Sequence, residues 1–176
     1  MKKIVITFGL IAGLIVSGLM FINVSLLGDS MDFDYGEILG YTSMVIALST
    51  IFFATKSYRD NQLDGSITFG KGFLLGLLIT VIAGIIYVVA WEIYFHTAFS
   101  DFSEQYVNHS VEKIMESGMP AEEANQKISE LKESMEMYSN NTVFRMAITF
   151  TEIFPVGLLI SLISAAILRK KEILPA

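Results

Sequence analysis

GKGFLLGLLITVIAGIIYVVAWEIYF, Gly70–Phe95, has a lysine at one end, a glutamate near the other and, in the long run between them, only Thr80 besides aliphatic and aromatic side chains and glycines. A bilayer-spanning helix needs about 20 mostly apolar residues, and this stretch exceeds that length. Three more stretches, Ile4–Leu27, Ile38–Thr55 and Val143–Leu168, are of the same kind. A soluble helix of similar length would show a polar face at helical spacing. In Ile4–Leu27 the polar members are only Thr7, Ser17, Asn23 and Ser25, which form no such face. The composition agrees, with 53% hydrophobic residues and a mean hydropathy of +0.56. The expected fold is an all-α, four-helix transmembrane bundle over residues 1–176, with spans at about 4–27, 38–55, 70–95 and 143–168.

Lys2 and Lys3 ahead of an apolar run also fit a signal peptide. A signal h-region is about 7–15 residues long and ends at a small-x-small cleavage site. The first run is much longer and no Ala-x-Ala site follows, so it reads as a retained span. The chain has no Cys, which excludes lipoprotein processing, disulfides and thiolate metal sites.

Lys and Arg near span ends mark the cytoplasmic side. Lys2 and Lys3, then Lys56, Arg59 and Lys71, then Arg169, Lys170 and Lys171 fall on one side. None lies in Gly28–Glu37, and Lys113, Lys127, Lys132 and Arg145 are spread over the long Glu92–Arg145 stretch. Both termini are therefore expected in the cytoplasm. The net charge of −6 comes mainly from the opposite side, beginning with Asp29, Asp32, Asp34 and Glu37. That distribution gives no support to nucleic-acid binding. Tyr35, Tyr41, Trp91 and Tyr94 sit where an outer aromatic belt belongs, and Tyr58 marks the inner interface.

The connection between spans three and four, 97–141, is too long for a turn and too regular for a linker. Val107, Val111, Ile114 and Met115 recur at helical spacing, as do Ala124, Ile128, Leu131, Met135 and Tyr138. Ser117-Gly118-Met119-Pro120 separates the two runs, with Gly suited to a helix C′ position and Pro to a new first turn. Asn140-Asn141-Thr142 ends the second helix and supplies a cap for the last span. The insert reads as an extracytoplasmic helical hairpin. Its two apolar stripes face one another, the membrane surface or a partner.

Three groups of residues stand out within this frame. Gly9 and Gly13, Gly72 and Gly76, and Gly157 with Ser161 and Ala165 let helix backbones approach closely, within the bundle or between copies. Glu152, about one turn inside the hydrocarbon boundary, is an ionisable group at a depth where such groups normally find a partner. Glu92, His96 and Arg145 fall at or beyond that boundary and complete a candidate polar cluster with it. Lys56-Ser57-Tyr58-Arg59-Asp60 and Gly65-Ser66-Ile67-Thr68-Phe69 form the inner connection, which reads as snorkelling anchors and a tight turn through Asp64-Gly65. Ile67 and Phe69 alternate with polar residues, as in a short re-entrant turn. On the hairpin, His109, Glu112 and Glu116 share a face, a spacing common on acidic solvated helices. No His-Glu-x-x-His, Gly-rich phosphate loop or Gly-x-Ser-x-Gly occurs, so neither an enzyme nor a cofactor or metal site is expected.

Tyr58-Arg59-Asp60, Gly65-x-Ile67-x-Phe69, the Gly72/Gly76 stripe and Glu152-Ile153-Phe154-Pro155-Val156-Gly157 resemble a bacterial family catalogued as domain-of-unknown-function family 4199. The likeness covers nearly the whole chain, and the hairpin is its least distinctive part. It implies a small four-helix protein of the bacterial inner membrane and brings no catalytic residue, cofactor or activity with it. The expected function is a non-enzymatic interaction or scaffold protein, working through lipid-embedded helix contacts with a homo-oligomer or a membrane-protein partner. The rival is a small transporter or ion-conducting protein using the outer Glu/Arg cluster.

Overall fold

The computed structural model describes residues 1–27, 33–98 and 102–170. Asp29, Asp32 and Lys171 lie outside the described residues. The described residues form seven helices, in order: α1 Lys2–Leu27, α2 Phe33–Leu48, α3 Thr50–Gln62, α4 Phe69–Ala98, α5 Phe102–Glu116, α6 Ala121–Asn140 and α7 Thr142–Leu168. Among them are four helical segments long and apolar enough to cross a membrane: Lys2–Val24, Phe33–Gln62, Phe69–Thr97 and Thr142–Leu168. The described residues are all-helical, and by length and composition they are those of a multi-pass membrane protein. The chain divides into two compact units, one of Met1–Val88 with Phe150–Ala176 and one of Val89–Thr149.

The first unit turns its large apolar side chains outward. Leu14, Ile38, Phe53, Leu159, Ile163 and Ile167 are exposed, while Ala12, Ala47, Ala54, Ala83 and the hydroxyls of Thr55, Thr80, Ser161 and Ser164 are buried. In water that arrangement would be a large aggregation-prone surface. In lipid it is the expected one, because bulky aliphatic groups gain nothing by leaving hydrocarbon and small residues let backbones pack. Thr55, Thr80 and Ser161 donate to the carbonyls of Ile51, Gly76 and Gly157 on their own helices, so these three hydroxyls are satisfied where they are buried. Asn23 of α1 reaches Ser43 Oγ of α2 at 3.0 Å.

The second apolar stretch is not one smooth rod. It breaks at Ser49 between α2 and α3, and its helical residues extend from Phe33 to Gln62, wider than the apolar run 38–55. Ser49 and Thr50 hydroxyls donate back to the carbonyls of Ile46 and Ala47 at 2.6 and 2.7 Å. Phe52 N–H bonds Ser49 O, a tighter turn than the α-helical one. Such back-bonding competes with the helical ladder and bends membrane helices. After α3 the chain reverses through Asp64 and Gly65, whose φ values of 49° and 80° lie in the left-handed region. Glycine takes that conformation without steric cost.

The second unit contains the ends of α4 and α7 around the α5–α6 hairpin. Val107, Val111 and Ile114 on α5 and Ile128, Leu131 and Met135 on α6 are half-buried, and Ala124 is buried. α5 ends with Gly118 at φ 71°, as a C′ glycine should. Pro120 stands at the N-cap of α6, one position ahead of the first turn. Its carbonyl accepts from Ala124 N–H at 3.0 Å. Glu122 and Glu123 occupy the first turn, where the helix dipole favours acids. Ser103 and Ser139 hydroxyls meet at 2.7 Å across the hairpin.

Candidate functional site

The junction of α6 and α7 is a single residue. Asn141 closes α6 by donating its N–H to Met137 O at 2.9 Å. Its side-chain Oδ1 accepts from Phe144 N–H at 3.0 Å and so opens α7. So short a junction leaves the last carbonyls of α6 without helical donors. It also places Arg145 one turn into α7, beside them. Arg145 Nη1 donates to Tyr138 O and Ser139 O at 2.8 and 3.0 Å. A cation at a helix C-terminus also meets the negative end of the dipole.

α4 supplies the counter-charge. Arg145 Nε and Nη2 donate to the two carboxylate oxygens of Glu92 at 2.7 and 2.8 Å, a bidentate fork. Nη2 also lies 3.2 Å from His96 Nε2 and 3.2 Å from Thr142 Oγ1. His96, one turn beyond Glu92, is itself 3.5 Å from Glu92 Oε2. The guanidinium carbon stands 4.2 Å above the Phe95 ring, a cation–π contact. Tyr138, whose backbone carbonyl binds the guanidinium, accepts Trp91 Nε1–H on its hydroxyl at 2.7 Å. Arg145 has 0% exposure and Glu92 8%.

This density of partners decides what the node can do. A buried charge is costly unless paired and hydrogen-bonded, and here Nε and both terminal nitrogens of Arg145 have acceptors. Both oxygens of Glu92 are taken. The arrangement offers no free donor fork for an anion and no open carboxylate for a cation. Its chemical capacity is to tie the end of α4 to the α6–α7 junction. Among the described residues no group of three or more His, Cys, Asp or Glu converges as a metal site, and that includes His109, Glu112 and Glu116.

Of the four residues read as one polar cluster, three meet in this node. Glu152 belongs to the first unit, where it is exposed. Among the described residues it makes no hydrogen bond or ion pair. Phe95, Tyr138 and Thr142 also belong to the node, and in the sequence Thr142 stands out only as part of the cap of the last span. Tyr138 stands out in the sequence only as a member of the α6 apolar stripe.

In the first unit the candidate glycines meet partners. A Cβ at Gly9 would stand 2.7 Å from Ile82, and one at Gly13 2.6 Å from Ile86, so that stripe is filled by α4. At Gly76 the obstacles are Ser161 and Ile51, and Gly157 faces Thr80. Gly72 lies in ordinary contact with Ala165 and Thr55. Gly84, which the sequence reading did not single out, lies against Phe150. Its signal was the four-residue spacing Gly72, Gly76, Thr80, Gly84.

The inner connection is a latch on the end of α7. Arg59 Nη1 donates to Leu168 O at 3.4 Å while Nε holds Asp60 at 2.7 Å. Ile67 and Lys170 exchange two backbone hydrogen bonds, at 3.1 and 3.0 Å, as an isolated antiparallel bridge. The Ile67 side chain is buried, and its backbone is committed to that bridge. Tyr58 is half-buried, Gly65 provides the turn, and Phe69 is exposed and stacks on Phe73.

A family model described as "Protein of unknown function (DUF4199)" matches residues 7–170. No curated protein and no solved structure matches the chain.

Proposed function

We propose that this chain, which belongs to the DUF4199 family of proteins of unknown function, is a non-enzymatic interaction or scaffold protein of the bacterial inner membrane. Both termini lie in the cytoplasm and the α5–α6 hairpin is extracytoplasmic. The basic residues support that orientation. Within the first unit, Met1 N contacts Gln62 Oε1 at 3.4 Å, and Arg59 and Ile67 hold the end of α7. These contacts gather Lys2, Lys3, Arg59, Arg169 and Lys170 at one end of that unit, as the positive-inside rule requires of a cytoplasmic face.

The observation that carries the functional reading is the saturation of Arg145. A transport or catalytic site keeps a valence open for its substrate, and neither Arg145 nor Glu92 has one. The node serves instead as a rigid mount for an acidic hairpin, which carries eight Glu against three Lys between Ser103 and Asn140. The transporter reading needs a polar route lined by available groups. The hydroxyls of Thr80 and Ser161, buried in the first unit, are bonded to their own helices.

Mass measurement of the protein released from native membranes in lipid discs tests the interaction reading. A homo-oligomer or a stoichiometric partner is expected. A strict monomer with nothing bound overturns it.

A further inference from the structure

Three helices of the first unit converge at Gly72. A Cβ there would stand 3.4 Å from Ala165 of α7 and 3.4 Å from Thr55 of α3, so the first turn of α4 is seated against both. Each of these three residues has a cation close by along its own helix. Lys56 follows Thr55, and Lys71 precedes Gly72. Arg169 stands one turn beyond Ala165, its N–H bonded to Ala165 O at 3.1 Å. Two further contacts fasten the same junction. Arg59 Nη1 donates to Leu168 O at 3.4 Å, and the backbones of Ile67 and Lys170 exchange hydrogen bonds at 3.1 and 3.0 Å. Cations from the ends of three helices are thereby gathered, against Asp60 and Asp64 as the acids of the connecting chain. Asp60 is committed to Arg59 Nε at 2.7 Å. The side chains of Lys56, Lys71, Arg169 and Lys170 are exposed, and among the described residues they make no hydrogen bond or ion pair.

Beside these cations the same helices turn apolar side chains outward. Ile163 and Ile167 on α7 and Phe69 and Leu74 on α4 are exposed, and Phe69 stacks on Phe73. The junction joins a cationic rim to an apolar shelf, the two chemistries of a phospholipid. We infer that it holds one anionic phospholipid, with the headgroup phosphate among Lys56, Lys71, Arg169 and Lys170 and the acyl chains along the exposed residues of α4 and α7. Depth and charge select the occupant. Long cationic side chains at the ends of spanning helices reach to the level of the lipid headgroups, and basic pockets between such helices take anionic ones. A zwitterionic lipid brings an ammonium that the cations repel. A free phosphate would use the cations and leave the apolar shelf uncovered. The positive-inside rule accounts for the sign of these charges, whereas their grouping comes from the contacts at Gly72, Leu168 and Ile67. The inference is independent of the interaction reading, since it needs no protein partner.

The test uses the full chain, delipidated in a non-ionic detergent, with native mass spectrometry counting the lipid bound. The probes are phosphatidylglycerol and phosphatidylcholine with identical acyl chains. One phosphatidylglycerol should be retained on the order of ten-fold more tightly than phosphatidylcholine. Lys71→Gln combined with Arg169→Gln should bring the two lipids to the same level. The charge-keeping swap, Lys71→Arg with Arg169→Lys, should preserve the preference. Lys2→Gln with Lys3→Gln removes as much charge from the start of α1 and should also preserve it. None of these side chains is bonded among the described residues, so all three variants should keep the wild-type melting profile. Equal retention of the two lipids by the wild-type chain overturns the inference. So does an equal loss in the Lys2 and Lys3 variant, which would reduce the site to a diffuse field. Displacement of the lipid by inorganic phosphate, beyond that caused by chloride at the same ionic strength, also overturns it and assigns the cations to a free anion.

Discussion

Arg145 and Glu92, 53 residues apart in sequence, form a two-point ion pair with donor–acceptor distances of 2.7 and 2.8 Å, and the guanidinium is wholly enclosed. The energetics of such a pair are asymmetric. Removing one partner strands a buried charge, while removing both does not.

Glu92→Leu and Arg145→Met are therefore each expected to cost about 3–5 kcal/mol of stability. The double variant should cost less than the sum of the two. Arg145→Lys should behave like a loss, since an ammonium cannot serve Glu92 and the α6 carbonyls with the same fork. Reversible unfolding in mixed detergent micelles, read as a double-mutant cycle, checks this. Strict additivity would remove the pair from its structural role.

Glycine contacts in the first unit separate filled from open positions. Gly157→Ala and Gly76→Ala force a Cβ onto Thr80 or Ser161 and should destabilise by about 1–3 kcal/mol. Gly18→Ala meets open space, and there helix propensity alone should leave stability unchanged or slightly higher. The measurement is thermal unfolding in one detergent for all three variants.

The latch on α7 has a local readout. Ile67→Pro removes the N–H that bonds Lys170 O and disturbs the reciprocal bond from Lys170 N–H. Amide exchange at Lys170 should accelerate on the order of ten-fold, while exchange around Arg145 stays as in the wild type. Unchanged exchange at Lys170 would show that the bridge contributes nothing.

Membrane orientation is open to chemical labelling because the chain has no native cysteine. Asn125→Cys on α6 should react with a membrane-impermeant maleimide in intact cells. Asn61→Cys at the end of α3 should react only after permeabilisation. The reverse pattern would invert the proposed topology.

The cap at the α6–α7 junction offers a graded test. Asn141→Ala loses the side-chain acceptor for Phe144 N–H and should cost about 1 kcal/mol, whereas Asn141→Asp keeps an acceptor and should cost less. Helix content and melting temperature of the two variants should differ in that order.

Features set by local chemistry were legible in the residues themselves. The Gly118 stop, the acids in the first turn of α6 and the Asn141 cap depend on side chains within a few positions of one another. Arg145, Glu92 and His96 could be grouped because each lay at or beyond the same span boundary when counted along its helix. Glu152 was grouped with them by the same counting, and its facing could not be read. Depth follows from residue number, but facing depends on how a helix is rotated against its neighbours. A stretch apolar on every side, such as α4 or α7, carries no polar stripe to indicate that rotation.

By itself the sequence determined how many helices can cross a membrane and where the hairpin interrupts them, because transfer into lipid adds up residue by residue along the chain. It also carried the family resemblance. Only the tertiary structure decided that Arg145 binds the carbonyls of Tyr138 and Ser139, that Ile67 bonds Lys170, and that α4 fills the glycine face of α1. The physical reason is common to all three. Backbone carbonyls and amides are alike at every residue, and a glycine is equally bare whichever neighbour it meets. Which ones are used is settled when one helix end comes to rest against another.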